Sequence, residues 1–249
     1  MTLRTRIERL FYRYGWDTRC RNLCPARALR ARLAGLTRES SPVLLDVGSG
    51  QLGLSAFLRD VSMVSSDLQA SNGHADGLRF VRSTATALPF RDRAFPAVSC
   101  IDVLEHLAPA QRAEAITECL RVASHVALFA FPDGARAREC DQAFQEACRA
   151  RSRQVPAWVE EHLRHEYPVS EGVAEQVRQA AVRFGRRAQV TASACEPLAI
   201  CRVVRAAASR STLLYALCNL WVGLCSPFMR APRSGEGYRT VLVAELLPS

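Results

Sequence analysis

A cluster of glycines follows an apolar run and one acidic residue in the stretch "VLLDVGSGQLGLS", residues 43–55. Gly48, Gly50 and Gly53 have the G-x-G-x-x-G spacing of a nucleotide-binding turn, in which the backbone comes close to a ligand and a helix N-terminus favours negative charge. Asp46 stands two residues before the first glycine, where its carboxylate would repel a pyrophosphate but could position an ammonium group or the loop's own amides. The stretch therefore favours a cationic cofactor with an amino-acid tail.

A second carboxylate, Asp67, closes the next apolar run, "VSMVSSDLQ". An acidic residue at the end of a second strand can bind both hydroxyls of a ribose. The alternative interpretation is a helix cap or a solvated turn.

Short apolar segments alternate with helical patterns around these carboxylates, which predicts a parallel sheet in a doubly wound α/β domain. The predicted strands are 43–47, 61–66, 78–83, 97–102, 126–131, 188–194 and 238–246, and helices are predicted at 53–59 and 109–123. At 249 residues, the chain is expected to form a single domain over residues 1–249.

Helical segments are expected before, after and within this core. Residues 1–38 predict two basic helices, one at 2–15 and one in "PARALRARLAGL", with Pro25 near its start and Gly35 near its end. Residues 133–186 are polar and helical, and residues 195–235 form an apolar helical insertion before the last strand. Within it, "STLLYALCNLWVGLC" (211–225) is too short to span a bilayer; it predicts a buried or lid helix, or a helix resting on a membrane surface.

The charge of the chain is positive and comes from one residue type. The net charge is +9, and all 33 cations are arginines, since the sequence has no lysine. The arginines are scattered, so a GC-rich coding sequence explains them more simply than anion binding. Acidic lipid headgroups and phosphorylated substrates remain candidate partners, whereas no RNA-binding motif supports a nucleic-acid partner.

The ten cysteines lie mostly in apolar stretches, with no C-x-x-C pair and one close pair, Cys20 and Cys24. They are expected to be buried and reduced, as in a cytoplasmic protein. The first 15 residues have no long apolar core and do not predict a secretory signal.

Two further stretches make the pattern specific: "STATALPFRDRAFPAVSCIDVLEHL" (83–107) and "ECLRVASHVALFAFP" (118–132). Leu88-Pro89-Phe90 is followed by Asp92, Phe95 and Val98, then by Val103-Leu104-Glu105-His106, and Glu118, Arg121 and Val122 continue the match. With "LLDVGSGQLG", residues 40–132 resemble the class I S-adenosylmethionine-dependent methyltransferases of the branch with L-P-F and V-L-E-H signatures. The resemblance implies a seven-stranded, mostly parallel Rossmann-like methyltransferase sheet with an antiparallel last strand, and S-adenosylmethionine as cofactor.

The resemblance also implies a set of cofactor-binding residues, each expected at the carboxyl end of a strand. The glycine loop would surround the methionine part, Asp67 would bind the ribose, Leu68 would pack on the adenine, and the end of the fourth strand would flank the methyl group. Family members often have an Asp-Ala pair near the adenine amine, where this chain has Thr84-Ala85, and many have the third glycine one residue earlier. The full set is Asp46, Gly48, Ser49, Gly50, Gly53, Asp67, Leu68, Thr84, Ala85, Ile101 and Asp102.

Histidines are the candidates for handling an acceptor proton. His106, just after the fourth strand, is the candidate catalytic base, although a structural role for the Glu105-His106 signature is an equal alternative. His162 and His165 are three residues apart, but no third ligand follows at convincing spacing, so no metal site is expected. This segment is instead expected to end a helix before Pro168, or to bind the acceptor.

The function expected from these features is methyl transfer to an oxygen or nitrogen of a small-molecule, lipid-linked or glycan acceptor. Peripheral membrane contact through 211–225 would fit a lipid-linked acceptor. The alternatives are a methyltransferase-fold module that binds or docks on membranes without catalysis, and an RNA methyltransferase. The fold hosts many acceptors, so the acceptor must be argued from the site.

Overall fold

The computed structural model describes residues 15–33, 43–50, 53–69, 79–225 and 236–248. Within these ranges seven strands form one sheet in the order β3-β2-β1-β4-β5-β7-β6. Their bounds lie within three residues of every predicted strand: β1 Val43–Val47, β2 Ser62–Asp67, β3 Arg79–Arg82, β4 Phe95–Ile101, β5 Ala123–Pro132, β6 Arg186–Pro197 and β7 Gly237–Pro248.

The sheet is mostly parallel, as predicted. β1 to β5 pair in parallel, whereas β7 lies antiparallel to both β5 and β6. The order reverses between β1 and β4, because β2 and β3 extend the sheet on one side and β4 begins the other. Ligands of open α/β sheets bind at such a switch point, outside the carboxyl ends of the strands.

Helices cover both faces of the sheet. The described helices are α1 Trp16–Leu33, α2 Pro109–Val122, α3 Gly134–Arg149, α4 Ala157–His162, α5 Ser170–Arg183, α6 Leu198–Arg210 and α7 Thr212–Cys225. On one face α2 and α5 bury residues such as Ile116 and Val177 against the sheet. On the other face α1 packs Leu29 and Leu33 beside Leu54 and Leu58.

Two of the predicted helix boundaries are wrong. The helix predicted at 53–59 is a single 3-10 turn, Leu54–Ala56, because Gly53 has a non-helical backbone and Leu54 and Leu58 turn inward to the core. The helix predicted to begin near Pro25 begins at Trp16 and passes through the proline. The helix predicted at 2–15 lies outside the described residues, apart from Gly15, which precedes α1.

Tertiary burial explains why α1 tolerates an internal proline. A proline inside a helix costs about 3 kcal/mol, whereas burying one large apolar side chain contributes roughly 1.5–3 kcal/mol. Helix α1 buries several such side chains on both sides of Pro25: Trp16, Ala26, Leu29 and Leu33.

The predicted helical insertion consists of α6 and α7, placed between the two strands of the β6–β7 hairpin. The chain leaves and returns at one point, since Pro197 pairs with Gly237 and the Leu198 N–H donates to the Glu236 carbonyl at 3.0 Å. The inner faces of α6 and α7 pack on α1, through Val204 and Val222 against Trp16. The insertion and the N-terminal helix thus form one layer above the carboxyl end of the sheet.

None of the described helices is long and apolar enough to cross a membrane. None of the ten cysteines, all of which lie within the described ranges, forms a disulfide. Seven of them are buried and three are half-buried, as expected from their apolar surroundings.

Candidate functional site

The glycine loop after β1 needs its glycines for steric reasons. Gly48 and Gly53 have positive φ angles of 69° and 47°. A Cβ on Gly48 would overlap the Val103 side chain, and one on Gly53 would overlap the Asp46 carboxylate. The loop is therefore folded tightly onto the end of β1 and the segment that follows β4.

The buried Asp46 carboxylate fixes this loop through hydrogen bonds. Its Oδ2 accepts a hydrogen bond from the Leu54 N–H at 2.9 Å, and its Oδ1 accepts one from the Ser99 hydroxyl at 2.7 Å. Burial raises the pKa of the Asp46 carboxyl above its ordinary value, an effect that these two hydrogen bonds oppose. The carboxylate thus holds the loop's own amides, one of the two roles predicted for it from the sequence.

Asp67 meets the loop from the neighbouring strand. Its Oδ2 accepts a hydrogen bond from the Gly50 N–H at 2.9 Å, and its Oδ1 accepts one from the Gln69 N–H at 3.2 Å. The Gly50 Cα faces open space, since an added Cβ would meet nothing within 4 Å. The Ser49 hydroxyl lies buried beside it without a hydrogen-bond partner among the described residues.

The predicted adenine side of the site is exposed. Leu68 is 63% exposed. The Thr84 hydroxyl lies 3.0 Å from that of Thr86, and Ala85 packs against the main core cluster. These three residues lie past the ends of β2 and β3, and residues 70–78 lie outside the described ranges.

Asp102 stands at the end of β4 in a strained conformation. Ile101 is buried, and Asp102 after it has a φ of 52°, which is uncommon outside glycine. Its N–H donates to the Ala130 carbonyl at 2.9 Å. Its carboxylate forms ion pairs with Arg21, at 3.1 Å, and with Arg239, which join α1 and β7 to this point.

A cavity of about 510 Å³ opens beside Asp102, a volume typical of small-molecule sites. Its walls come from α1, α3, α4, α6, α7 and β7. Aromatic and apolar side chains form much of its wall: Phe144, Trp158, Val204, Tyr215 and Tyr238. Four arginines but only two carboxylates line it, namely Arg21, Arg153, Arg205, Arg239, Asp102 and Glu196. Three of these arginines pair with carboxylates: Arg21 and Arg239 with Asp102, and Arg205 with Asp141.

Two histidines lie at the β4 end of this cavity. The Nε2 atoms of His106 and His162 are 3.2 Å apart. A carboxylate lies at the other nitrogen of each ring: Glu161 is 3.2 Å from His106 Nδ1, and Asp141 is 3.4 Å from His162 Nδ1. Burial lowers the pKa of both histidines to about 4, so both rings are neutral at pH 7.

Glu105 is the third side chain of the cluster around His106 and His162. Its side chain is fully buried, and neither carboxylate oxygen accepts a hydrogen bond from a described residue. Oε1 lies 3.9 Å from His162 Nε2. Burial raises the pKa of the Glu105 carboxyl to about 7.

Two arginines, Arg112 and Arg138, hold the backbone around these residues. Arg112 on α2 donates to the carbonyl of Leu104 at 2.7 Å and to that of Glu166. Arg138 on α3 donates to the carbonyl of His165 at 2.6 Å. The backbone around His165 is thus part of a helix-ending network, as the sequence suggested, and His165 does not belong to the cluster around His162.

Asp141 supports the cavity floor. It is fully buried and accepts hydrogen bonds from the hydroxyls of Tyr167 and Tyr238, the latter at 2.9 Å. It also pairs with Arg205, whose guanidinium lies 4.2 Å from the Tyr238 ring centroid. Since Asp141 receives these donors and also lies 3.4 Å from His162 Nδ1, it fixes the ring orientation of that histidine.

The L-P-F segment and the helix residues matched with it have a structural role. Arg121 donates to the carbonyls of Leu88 and Phe90 at 2.9 and 2.7 Å, and it pairs with Glu118 and Asp92. Glu118 in turn accepts from the Leu88 N–H at 2.8 Å. These residues hold the loop before β4 and stand apart from the cavity.

Sequence reasoning missed four site residues: Asp141, Arg205, Tyr238 and Arg239. No motif marks them, because they come from helices and a strand that the fold alone brings to the cavity. Glu105 belongs to a signature in the sequence. The sequence does not show that its side chain is buried without a hydrogen-bond partner among the described residues. A carboxylate inside the apolar run "VLEHL" was the signal that could have suggested it.

Comparison with known proteins agrees with this geometry. Residues 45–131 match the family model described as "Methyltransferase domain" (Methyltransf_11). No curated protein sequence matches the chain significantly.

Solved structures resemble the chain in fold. A S-adenosylmethionine-dependent methyltransferase from Thermotoga maritima is 14% identical over 97% of this chain and 95% of its own, with a TM-score of 0.53. A 1,6-didemethyltoxoflavin-N1-methyltransferase from Burkholderia thailandensis, solved with bound 1,6-didemethyltoxoflavin and S-adenosylhomocysteine, is 12% identical over 90% of this chain and 79% of its own, with a TM-score of 0.49.

Proposed function

We propose that this chain, whose residues 45–131 match the methyltransferase domain model, uses S-adenosylmethionine to methylate an oxygen or nitrogen of a lipid-linked acceptor with an anionic headgroup. The headgroup occupies the cavity beside Asp102 and His106, and the apolar part of the acceptor remains in a membrane surface. The observation that carries this proposal is the exposed apolar face of α7, a helix that also lines the cavity.

The described residues fit the cofactor. The backbone of Gly50 faces open space, and the buried Ser49 hydroxyl has no hydrogen-bond partner in the described structure. Asp67 uses each carboxylate oxygen once, and each oxygen retains a lone pair for a ribose hydroxyl. The loop Asp46–Gly53 would hold the methionine part, with Asp67 at the ribose and Leu68 at the adenine.

Bound S-adenosylmethionine supplies a methyl group on a sulfonium, which is transferred by in-line displacement. The protein's task is to align the acceptor nucleophile with that methyl group, which proximity and orientation accelerate greatly. Asp102 belongs both to the predicted cofactor set and to the cavity wall, so the two ligands would meet at the end of β4. His106 and His162 lie at this end of the cavity, where the acceptor must lose its proton.

Helix α7 presents its apolar side chains in two directions. Tyr215 lines the cavity and Val222 packs on α1. Large apolar side chains at helical spacing point to solvent on the other side: Leu213, Leu214, Leu217, Trp221 and Leu224, with Trp221 69% exposed. A contiguous exposed apolar face of this kind marks a protein or membrane contact.

Charge at one end of α7 favours an anionic membrane. Arg210 is exposed and precedes the helix, and the Arg153 guanidinium donates to the Arg210 carbonyl and to the Thr212 hydroxyl at 3.3 and 3.2 Å. An apolar face flanked by cations suits a surface of anionic phospholipid. The acceptor's headgroup would then have a short path into the arginine-lined cavity.

Vesicle sedimentation and labelled methyl transfer test this proposal together. We expect the protein to sediment with anionic phospholipid vesicles more than with zwitterionic ones. The variant Leu217→Ser/Trp221→Ser should lose at least tenfold in vesicle affinity, while Val182→Ser, at an exposed valine on α5, should not. With membrane lipid extract as the acceptor pool, label from S-adenosylmethionine should appear in the organic phase.

Other outcomes would point to other functions. Label in a water-soluble product would indicate a free small-molecule or glycan acceptor, and label in RNA would indicate an RNA methyltransferase. Binding of the cofactor and of vesicles without any transfer would favour a docking module. Each of these results would overturn the lipid-linked acceptor.

A further inference from the structure

His106 and His162 have one N–H hydrogen fewer than their ring-nitrogen contacts require. Three short contacts involve their ring nitrogens: His106 Nδ1 with Glu161, His162 Nδ1 with Asp141, and the contact between the two Nε2 atoms. Each contact needs one hydrogen between its two atoms, because each atom has a lone pair. Two neutral imidazoles supply only two. One contact therefore joins two lone pairs unless a cation is present.

The positions of the Glu161 and Asp141 carboxylates indicate which of the three contacts has no hydrogen. Carboxylates accept and do not donate, so each Nδ1 carries the proton and points it at Glu161 or Asp141. Both Nε2 lone pairs then face each other at 3.2 Å. A histidine whose Nδ1–H is held by a carboxylate is the usual form of a histidine that binds metal through Nε2.

Glu105 adds a third electron pair to the same point. It is fully buried, accepts no hydrogen bond from the described residues, and approaches His162 Nε2. One ligand atom from each of Glu105, His106 and His162 lies within 4.8 Å of the other two. An ionised carboxylate in such a place is costly unless a positive charge accompanies it.

We propose that Glu105, His106 and His162 bind a divalent transition-metal ion at the β4 end of the cavity. Two imidazoles and one carboxylate suit zinc and the similar borderline ions, and three protein ligands leave a coordination position open. That position faces the cavity, because His106 and His162 both line it. The expectation from sequence of no metal site relied on His162 and His165, whereas the fold pairs His162 with a histidine 56 positions earlier.

A metal here would act on the acceptor, and this role rests on the proposed function. The open position would hold the acceptor's hydroxyl and lower its pKa. The proton leaves to solvent, the new O–C bond forms, and the C–S bond of the sulfonium breaks, so that no oxidant or reductant is required. His106 would then be a metal ligand, in place of the catalytic base predicted from the sequence.

Metal binding can be tested without any acceptor, which separates it from the proposed function. The full chain, stripped with chelator, would be titrated with Co²⁺ and followed by calorimetry and by the visible absorption of the ion. We expect one equivalent to bind with the spectrum of nitrogen and oxygen ligands. His106→Gln and His162→Gln should each weaken binding at least tenfold, and Glu105→Gln should do the same.

Two control variants keep the test specific. His165→Gln and His125→Gln change histidines outside the cluster and should bind Co²⁺ as the wild type does. Urea unfolding of each variant would show that it is folded, and His106→Gln is the safest of the three because His106 is partly exposed. Absence of binding to the wild type, binding unchanged in folded His106→Gln, or a thiolate-to-metal absorption band from the cysteines would each overturn the proposal.

Discussion

The Gly50 N–H donates a hydrogen bond of 2.9 Å to Asp67 Oδ2, which ties the glycine loop to the end of the second strand. Asp67→Ala should therefore lower the affinity for S-adenosylmethionine at least tenfold, because the variant loses both this anchor and the predicted ribose acceptor. A hydrogen bond to a charged group contributes about 1.5–3 kcal/mol, and 1.4 kcal/mol is about tenfold in affinity. Isothermal titration calorimetry with S-adenosylmethionine measures the change.

Asp60→Ala is the matched control for Asp67, because Asp60 is an exposed carboxylate paired with Arg30. It should bind the cofactor as the wild type does, and NAD should give no heat with any of these proteins. Wild-type affinity in Asp67→Ala would remove Asp67 from the cofactor site.

Gly53→Ala should destabilise the protein, whereas Gly172→Ala should not. The Gly53 backbone has a φ of 47°, and an added methyl would overlap Asp46 Oδ2. Strained positions of this kind cost on the order of 1–3 kcal/mol. Gly172 lies in α5 with open space around it, so alanine there should stabilise the helix by about 0.5–1 kcal/mol.

Urea unfolding curves of both glycine variants measure these differences. The free energy of unfolding should fall for Gly53→Ala and rise slightly for Gly172→Ala. Equal stability of Gly53→Ala and the wild type would mean that the loop adapts, and that its tight fold is not required.

Glu118→Gln should make the stability of the protein less dependent on acid pH. Arg121 donates to the Glu118 carboxylate and lowers its pKa below the ordinary value of 4.5. Because the folded pKa is lower than the unfolded one, the ion pair stabilises above pH 4.5, and that contribution disappears as the pH falls through the folded pKa. We expect Glu118→Gln to cost about 2 kcal/mol at pH 7 and progressively less as the pH falls through the folded pKa of Glu118.

Unfolding free energies of the wild type and of Glu118→Gln between pH 3 and 7 check this expectation. Asp92→Asn serves for comparison, since Asp92 pairs with the same arginine but is mostly exposed, and exposed pairs contribute about 0–1 kcal/mol. A difference between wild type and Glu118→Gln that stays constant with pH would exclude the ion pair as its cause.

Ala208→Trp should block the acceptor while sparing the cofactor. Ala208 lines the cavity from α6, and an indole would occupy much of the space that the acceptor needs. We expect methyl transfer to fall at least tenfold, with unchanged affinity for S-adenosylmethionine, because the glycine loop lies outside the cavity.

Val203→Trp is the control on the same helix, since Val203 is exposed. It should keep wild-type transfer. Full activity in Ala208→Trp would show that the acceptor binds elsewhere.

The cofactor half of the molecule could be predicted from sequence because its signals are local. One stretch of 25 residues contains strand β1, the glycines after it and Asp67. The apolar runs in this stretch predict where β1 and β2 lie. The turn after Gly53 was predicted as a longer helix because local sequence does not show the hydrogen bond from the Leu54 N–H to Asp46. Pro25 was misjudged for a similar reason, since burial of Trp16 and Leu29 outweighs its local cost.

The acceptor half could not be predicted in the same way. His106 and His162 are 56 positions apart in the chain, and Arg112 joins their segments by donating to the carbonyls of Leu104 and Glu166. Asp102 was expected to meet the cofactor, but nothing in the sequence shows that Arg21 and Arg239 also bind it. These relationships depend on packing between helices distant in the chain, for which a single sequence carries no periodic signal.

The meeting of Pro197 with Gly237, and of Leu198 with Glu236, has an evolutionary consequence. Because residues 198–236 depart from and return to one point of the β6–β7 hairpin, they can lengthen, shorten or be exchanged without shifting the register of the sheet. Selection can therefore alter what the cavity accepts while leaving the methyl-donor loop intact. The β6–β7 hairpin thus carries a segment that can vary independently of the sheet.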